Sequence, residues 1–497
     1  MTVDEIRERL EAMSTEEVRE NYETGAGIRT SSNLTAILDR YRDLAGREAI
    51  AEVEARRGGT GDSNEGRRLR HLHEALILNL EGYRLRELND RLNQLEATLT
   101  VKVNGETLPY RELQGRTHAA QDRDRRRAYH RAWLAATAGS LLPLHRERIR
   151  LARQVATDLG HPDYVEFVAR SSGIDLDRLR DRVVPILERT AEPQRELMTE
   201  ALRRTTNIEL DDAESHDASA ILRGAAFDHR FPAGGEAPLA RELVERGLGL
   251  DLTAGGRIRL DLEPRPNKSP RAFCAPVRVP DEIYLVTKPS GGLQDYSAFF
   301  HELGHALHFA HTDPAHPVEY RRFGDNSVTE GFAVLMDGIL RERAWAERHL
   351  GNDLERYLEH AALRDLWMYR RYAAKLDYEL EFWRAPESAI ESAAKRYVAH
   401  LGAAALIPVD GERYLADIDL HFYAARYLRA WLFAALLRSR LRADFGEAWF
   451  GSRRAGRFLR ELWSYGQKYD AEELARELGA DGLGAEPLID EVEALVR

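Results

Sequence analysis

Two histidines four residues apart, with a glutamate directly after the first, stand in the run Phe299-Phe300-His301-Glu302-Leu303-Gly304-His305-Ala306-Leu307-His308. Four residues of α-helix turn the chain through about 400°, so His301 and His305 project side by side from one face. Two imidazoles placed in this way can grip one zinc ion. The Glu302 carboxylate then lies close enough to take a proton from a water on that metal. Phe299, Phe300, Leu303, Ala306 and Leu307 predict a helix buried along its sides, and Gly304 lets a neighbouring element approach closely. An amphipathic helix whose histidines merely pack could carry the same five residues. The metal reading therefore needs a third protein ligand.

A candidate lies downstream, past a loop over 312–317. The stretch Asn326–Leu340 predicts a second helix, with Asn326, Ser327 or Thr329 available to cap its start. Glu330 falls in its first turn, beside a long apolar face. A carboxylate there could do no more than favour the helix dipole. Asp337 shifts the balance, because seven residues are nearly two turns and place it on the same face as Glu330. Two carboxylates on one buried stripe are unfavourable unless something positive lies opposite. A zinc ion opposite Glu330 and a ligating imidazole N–H opposite Asp337 would satisfy both. His308, His311 and His316 are read as structural.

Elements that could position these residues precede them. Alternation predicts strands over 257–263, 272–279 and 282–287, bounded by Pro280 and by Pro289-Ser290-Gly291-Gly292. Glu282, Ile283, Tyr284 and Leu285 are expected to form an exposed edge that pairs with an extended peptide and lays its bond over the metal. The alternative is a structural sheet with no substrate role.

Asn267-Lys268-Ser269-Pro270-Arg271-Ala272-Phe273-Cys274, the following strand, the His301–His308 run and the Glu330 helix occur in an order that resembles the zinc metallopeptidases which include thimet oligopeptidase and oligoendopeptidase F. Asp419-Leu420-His421-Phe422-Tyr423-Ala424-Ala425-Arg426-Tyr427 is similar to a His-Phe-Tyr segment of the oligoendopeptidase F branch. Weaker echoes lie at 121–129 and 159–164.

The resemblance implies His301, His305 and Glu330 as ligands of one zinc ion and Glu302 as general base, and Asp337, from its place on the Glu330 face, is expected in the outer shell. It further implies that His421, with Tyr423, Tyr427 or both, donates hydrogen bonds to the oxyanion of a tetrahedral intermediate. An aromatic helix face packed in the core would account for the same tyrosines. Arg426 departs from the family's tyrosine-rich pattern. It either binds a substrate's C-terminal carboxylate or sits on the surface. The implied activity is hydrolysis of peptide bonds in short unfolded oligopeptides. The alternatives are a carboxypeptidase or dipeptidyl carboxypeptidase that trims C-termini, and a non-catalytic peptide-binding scaffold.

Composition bounds the rest. With 497 residues and a net charge of −11, the chain can build a large core and has no default attraction for nucleic acid. No apolar run is long enough to span a membrane. Met1–Glu8 lacks an apolar secretory core and Cys274 is the only cysteine, so a reducing cytoplasm is expected. Helical periodicity runs through 4–21, 33–56, 69–99, 119–159 and 176–205, and resumes beyond Asp337 over 339–345, 353–383, 386–401, 423–445 and 448–465. Asn104-Gly105 between alternating residues predicts a hairpin over 101–108. Polar loops interrupt the helices, notably over 58–64. The fold expected is mainly α and zincin-like: a large two-lobed helical body with a deep cleft and a small catalytic sheet. The boundary is placed between an N-terminal helical domain, 1–205, and a catalytic domain, 206–497.

Overall fold

The computed structural model describes residues 1–61 and 63–496; Asp62, part of the polar loop expected over 58–64, lies outside them. The chain is mainly helical, with few and short strands. It divides into two compact units, each assembled from three segments. One comprises Met1–Tyr83, Ala225–Tyr357 and Arg429–Leu488, the other Arg84–Gly224, Leu358–Leu428 and Ile489–Arg497. The units therefore interleave along the chain instead of parting once near residue 205. Most of the crossings fall inside helices, at Asn64–Thr98, Leu354–Arg384, Tyr423–Phe445 and Glu486–Val496, where composition carries no boundary signal.

Several helices end where the sequence punctuates them. The periodicity over 33–56 is cut at Gly46, into Leu34–Arg40 and Arg47–Arg57. That over 119–159 forms Arg123–Ala136 and Leu142–Asp158, joined through a π-helical turn, Thr137–Leu141, that ends just before Pro143. In the second unit, strands β1 (Thr100–Val103) and β2 (Glu106–Pro109) form the expected antiparallel hairpin. Asn104 and Gly105 both take positive φ, 51° and 85°, as a two-residue turn of matching twist requires.

The first unit holds a three-stranded sheet of β3 (Ile258–Asp261), β4 (Phe273–Arg278) and β5 (Glu282–Val286), in the order β3-β5-β4. β5 runs parallel to β3 and antiparallel to β4. It is thus the central strand and not the exposed edge expected for Glu282–Leu285. Both of its backbone edges are already paired, and Ile283 and Leu285 are fully buried. The Glu282 carboxylate accepts from Arg19 Nη1 and Nη2 at 3.0 and 2.7 Å and from the Tyr284 hydroxyl at 3.0 Å. A peptide cannot add to this strand.

One face of the sheet packs on helix Val3–Gly25. Tyr22, Ala26, Ala275 and Val286 form a buried cluster there, and the Tyr22 and Tyr284 rings stack at 3.8 Å. Another packing partner of the sheet is helix Leu293–His311, the histidine helix. Its start is fixed from two sides: Asp228 accepts from Leu293 N at 3.0 Å, and Asp295 accepts from Ser290 N and Gly291 N at 2.6 and 2.8 Å. Against it lies the buried helix Asn326–Gly338, the glutamate helix. They meet backbone to backbone: a Cβ at Gly304 would lie 2.5 Å from Ala333 Cα. The cap of the glutamate helix is Asp325, one residue before the expected candidates, and it accepts from Ser327 N at 2.9 Å.

Candidate metal centre

The Gly304–Ala333 approach brings one face of each helix to the other. His301, His305 and Glu330 each offer a ligand atom, and these three atoms lie within 4.8 Å of one another. His301 Nε2 is 3.4 Å and His305 Nε2 3.7 Å from Glu330 Oε2. Both rings turn their other nitrogen outward to a second partner. His305 Nδ1 is 2.8 Å from the Thr329 hydroxyl, and His301 Nδ1 is 3.6 Å from Asp337 Oδ2. This is the arrangement in which ring orientation and tautomer are set from behind, leaving both Nε2 atoms for an ion. Two imidazole nitrogens and one carboxylate oxygen suit zinc and similar divalent ions. The residues therefore fit a metal.

The electrostatics also call for a cation. Burial works against a charged His301, but the Asp337 and Glu330 carboxylates outweigh it and raise the ring to about 10. His305, one turn on, is pushed down to about 4, chiefly by burial, and so stays neutral as a ligand must. Asp337 is shared with Arg341, whose Nη2 donates to it at 2.7 Å. Asn326 Nδ2 faces Glu330 Oε1 at 3.4 Å.

Glu302 points to the sheet. Its Oε2 accepts the Cys274 backbone N–H at 2.8 Å. Burial raises this carboxyl to about 7, with His301 and the Cys274 N–H opposing and Glu330 adding to the rise. A proton acceptor in that range is poised for acid–base work near neutrality. The Cys274 thiol is driven well above its ordinary value by burial and by Glu302, so it stays protonated.

No protein-family model matches this chain. No curated protein matches it either.

His421, Tyr423, Arg426 and Tyr427 belong to the second unit. His421 is partly buried in a short turn over 420–422, Tyr423 is exposed, and Tyr427 is partly buried. Their rings form a ladder: Tyr423 meets Tyr427 edge-on at 5.0 Å, and Tyr427 meets Tyr372 at 5.7 Å. Arg426 is buried, which removes the surface alternative for it. His308 is fully buried with Nε2 3.1 Å from the Gly466 carbonyl, and His311 Nδ1 faces the Leu307 carbonyl at 2.8 Å. Both are structural, as the sequence suggests.

Sequence reasoning missed Thr329 as the partner of His305 and Cys274 as the anchor of Glu302. Thr329 was visible only as a cap candidate, although its place beside Glu330 on a buried helix was a signal. The Cys274 contact runs through a backbone amide, which no side-chain pattern reveals.

Proposed function

We propose that this chain is a zinc-dependent peptidase of the kind it resembles, zincin-like in fold, that hydrolyses short unfolded oligopeptides. One observation carries the reading. His301 Nε2 and His305 Nε2 both face Glu330 Oε2, at 3.4 and 3.7 Å, while Glu302 stands on the same helix, tied to the neighbouring strand.

His301, His305 and Glu330 would hold the ion, and Thr329 and Asp337 would keep the two rings aimed at it. Bound zinc supplies a Lewis acid that polarises the scissile carbonyl and makes a water acidic enough to deprotonate near pH 7. Glu302 removes the proton of the attacking water and passes it to the leaving amine. The Cys274 N–H holds Oε2 meanwhile, so the carboxylate keeps one orientation through both transfers. By resemblance, His421 and Tyr427 or Tyr423 would donate to the oxyanion.

The test combines elemental analysis with cleavage of a quenched-peptide library. About one zinc per chain and cleavage abolished by a chelator and restored by zinc are expected. A metal-loaded chain that cuts no peptide would overturn the reading.

A further inference from the structure

The turn carrying His421 is fixed more heavily than a connection between helices requires. His421 and Phe422 have φ of 57° and 48°, in the left-handed region. Residues other than glycine are uncommon there, a bulky one such as Phe422 especially so, and such positions gather at functional sites. Here the surroundings are polar, in large part buried, and drawn from several helices of the same unit. Asp417 is paired with Arg371, accepts the Tyr397 hydroxyl at 2.8 Å and Arg413 Nη2 at 3.3 Å. The Ile418 carbonyl accepts from Arg148 Nη2 at 2.9 Å. Asp419 accepts from Lys375 Nζ at 2.7 Å and donates its N–H to Glu379 Oε1 at 2.8 Å. The His421 N–H donates to the Tyr164 hydroxyl at 3.2 Å, and Tyr164 is itself stacked on Trp383 at 4.0 Å.

The charges sort themselves within this cluster. Burial pushes the Glu379 carboxyl up to about 8, with Lys375 opposing, so Glu379 is neutral near pH 7. Lys375 is then left to Asp419, at 2.7 Å, in preference to Glu379 at 3.9 Å. Burial also works against the Lys375 ammonium, but the Asp417 and Asp419 carboxylates hold the charge in place. The turn is thus gripped at Asp417, Ile418 and Asp419, immediately before the strained residues.

Two consecutive residues other than glycine take this conformation, at 421 and 422. The chain keeps an imidazole at the first of them, and clamps both the segment 417–419 and the backbone N–H of His421. We propose that Lys375, Glu379 and Asp419, with Tyr164, are positioning residues that hold the His421 imidazole in one fixed orientation for its part in the reaction. This rests on the peptidase reading, in which His421 is an oxyanion donor. A donor contributes most when it needs no reorganisation as charge develops.

A double-mutant cycle on the zinc-loaded full chain tests it. His421→Ala is expected to lower kcat by about 10²–10³, and Asp419→Asn by about tenfold with KM little changed. In the His421→Ala background, Asp419→Asn should then lower kcat no further. Equal losses in both backgrounds would show an architectural role and overturn the proposal, as would an Asp419→Asn enzyme with full kcat. If Asp419→Asn does not fold, Tyr164→Phe removes one hydroxyl and enters the same cycle with the same criteria. His421→Gly should match or exceed the wild-type Tm while losing kcat; a lower Tm would mean that the turn is not strained.

Failure of the underlying reading is distinguishable. If Glu302→Gln abolishes cleavage while His421→Ala is fully active, the peptidase reading stands and this proposal falls. If the zinc-loaded wild type cleaves nothing, the imidazole is read directly from carbon-13 histidine spectra. One sharp His421 resonance that shifts or broadens in Asp419→Asn supports the clamp, and an unchanged one overturns it.

Discussion

Cys274 donates its backbone N–H to Glu302 Oε2 over 2.8 Å, so the Glu302 carboxylate is oriented from strand β4 and not from its own helix. Glu302 leaves the histidine helix on the side of the sheet, while His301 and His305 leave it toward Glu330. One helix thereby serves two tasks, and the division depends on the sheet being in register.

Glu302→Gln preserves this hydrogen bond, because an amide oxygen accepts from Cys274 as the carboxylate does. The variant is expected to keep its zinc and lose about 10²–10⁴ in kcat. Elemental analysis and steady-state cleavage of one quenched peptide, made on the same preparation, check it. Hydrolysis at the wild-type rate with zinc present would remove Glu302 from the chemistry.

The ligand set and its supports should separate by magnitude. Glu330→Ala deletes a ligand and should abolish zinc retention on dialysis. Thr329→Val leaves all three ligands but removes the hydroxyl 2.8 Å from His305 Nδ1. Asp337→Asn leaves a neutral amide facing His301. Each of the latter two is expected to weaken zinc binding by about 10–100-fold, read by competition with a chromogenic chelator. Unchanged zinc content in Glu330→Ala would show that the third ligand has been wrongly assigned.

Gly304 holds the two helices together. A Cβ there would lie 2.5 Å from Ala333 Cα and 2.6 Å from the Phe332 carbonyl oxygen, both backbone atoms that cannot rotate aside. Gly304→Ala must therefore separate the histidine and glutamate helices. Overpacking of this kind costs about 1–3 kcal/mol, and here it also pulls Glu330 from the imidazoles. Lower Tm and weaker zinc binding should appear together. Gly331→Ala meets the Phe433 ring at 2.5 Å instead, a side chain that can shift, and should cost less. A Gly304→Ala protein with native Tm and native zinc affinity would contradict this account of the interface.

What could be read in the sequence was whatever side-chain type and spacing encode. The i, i+4 histidines, Glu330 and Asp337 were legible because one helical period fixes which residues share a face. The Asn104-Gly105 hairpin was legible because few dipeptides take positive φ twice. Strand existence was legible too, but strand order was not: alternation gave no means of telling that β5 lies between β3 and β4. Alternation alone therefore reads Glu282–Leu285 as an edge, where the structure has a central strand. The backbone donor at Cys274 and the cap at Asp325 were hidden for a related reason, since each depends on where another element docks. The interleaved units left no trace in composition, because most of the crossings between them fall within helices.

Buried histidines and buried acids should give this protein two opposed pH dependences. His145 is pushed down to about 4 by burial, with Arg148 adding to the effect, from an ordinary value of 6.5. His71 is likewise held at about 4, by burial and Arg70. Between those values the unfolded chain binds protons that the folded chain refuses. The contribution of each histidine is therefore complete above about pH 6.5 and is lost as pH falls toward 4, at up to about 1.4 kcal/mol per pH unit. Glu379 runs the other way. Burial lifts it from 4.5 to about 8, so its contribution is complete below 4.5 and is lost as pH rises toward 8. Because the two trends overlap, differences between variant and wild type are the informative quantity. Stability relative to wild type is expected to rise on acidification from pH 6.5 to 4 for His145→Gln, and to rise on alkalinisation from pH 4.5 to 8 for Glu379→Gln. Denaturant melts at half-unit pH intervals measure both. Parallel curves for His145→Gln and wild type would mean that this imidazole titrates alike in the folded and unfolded chain.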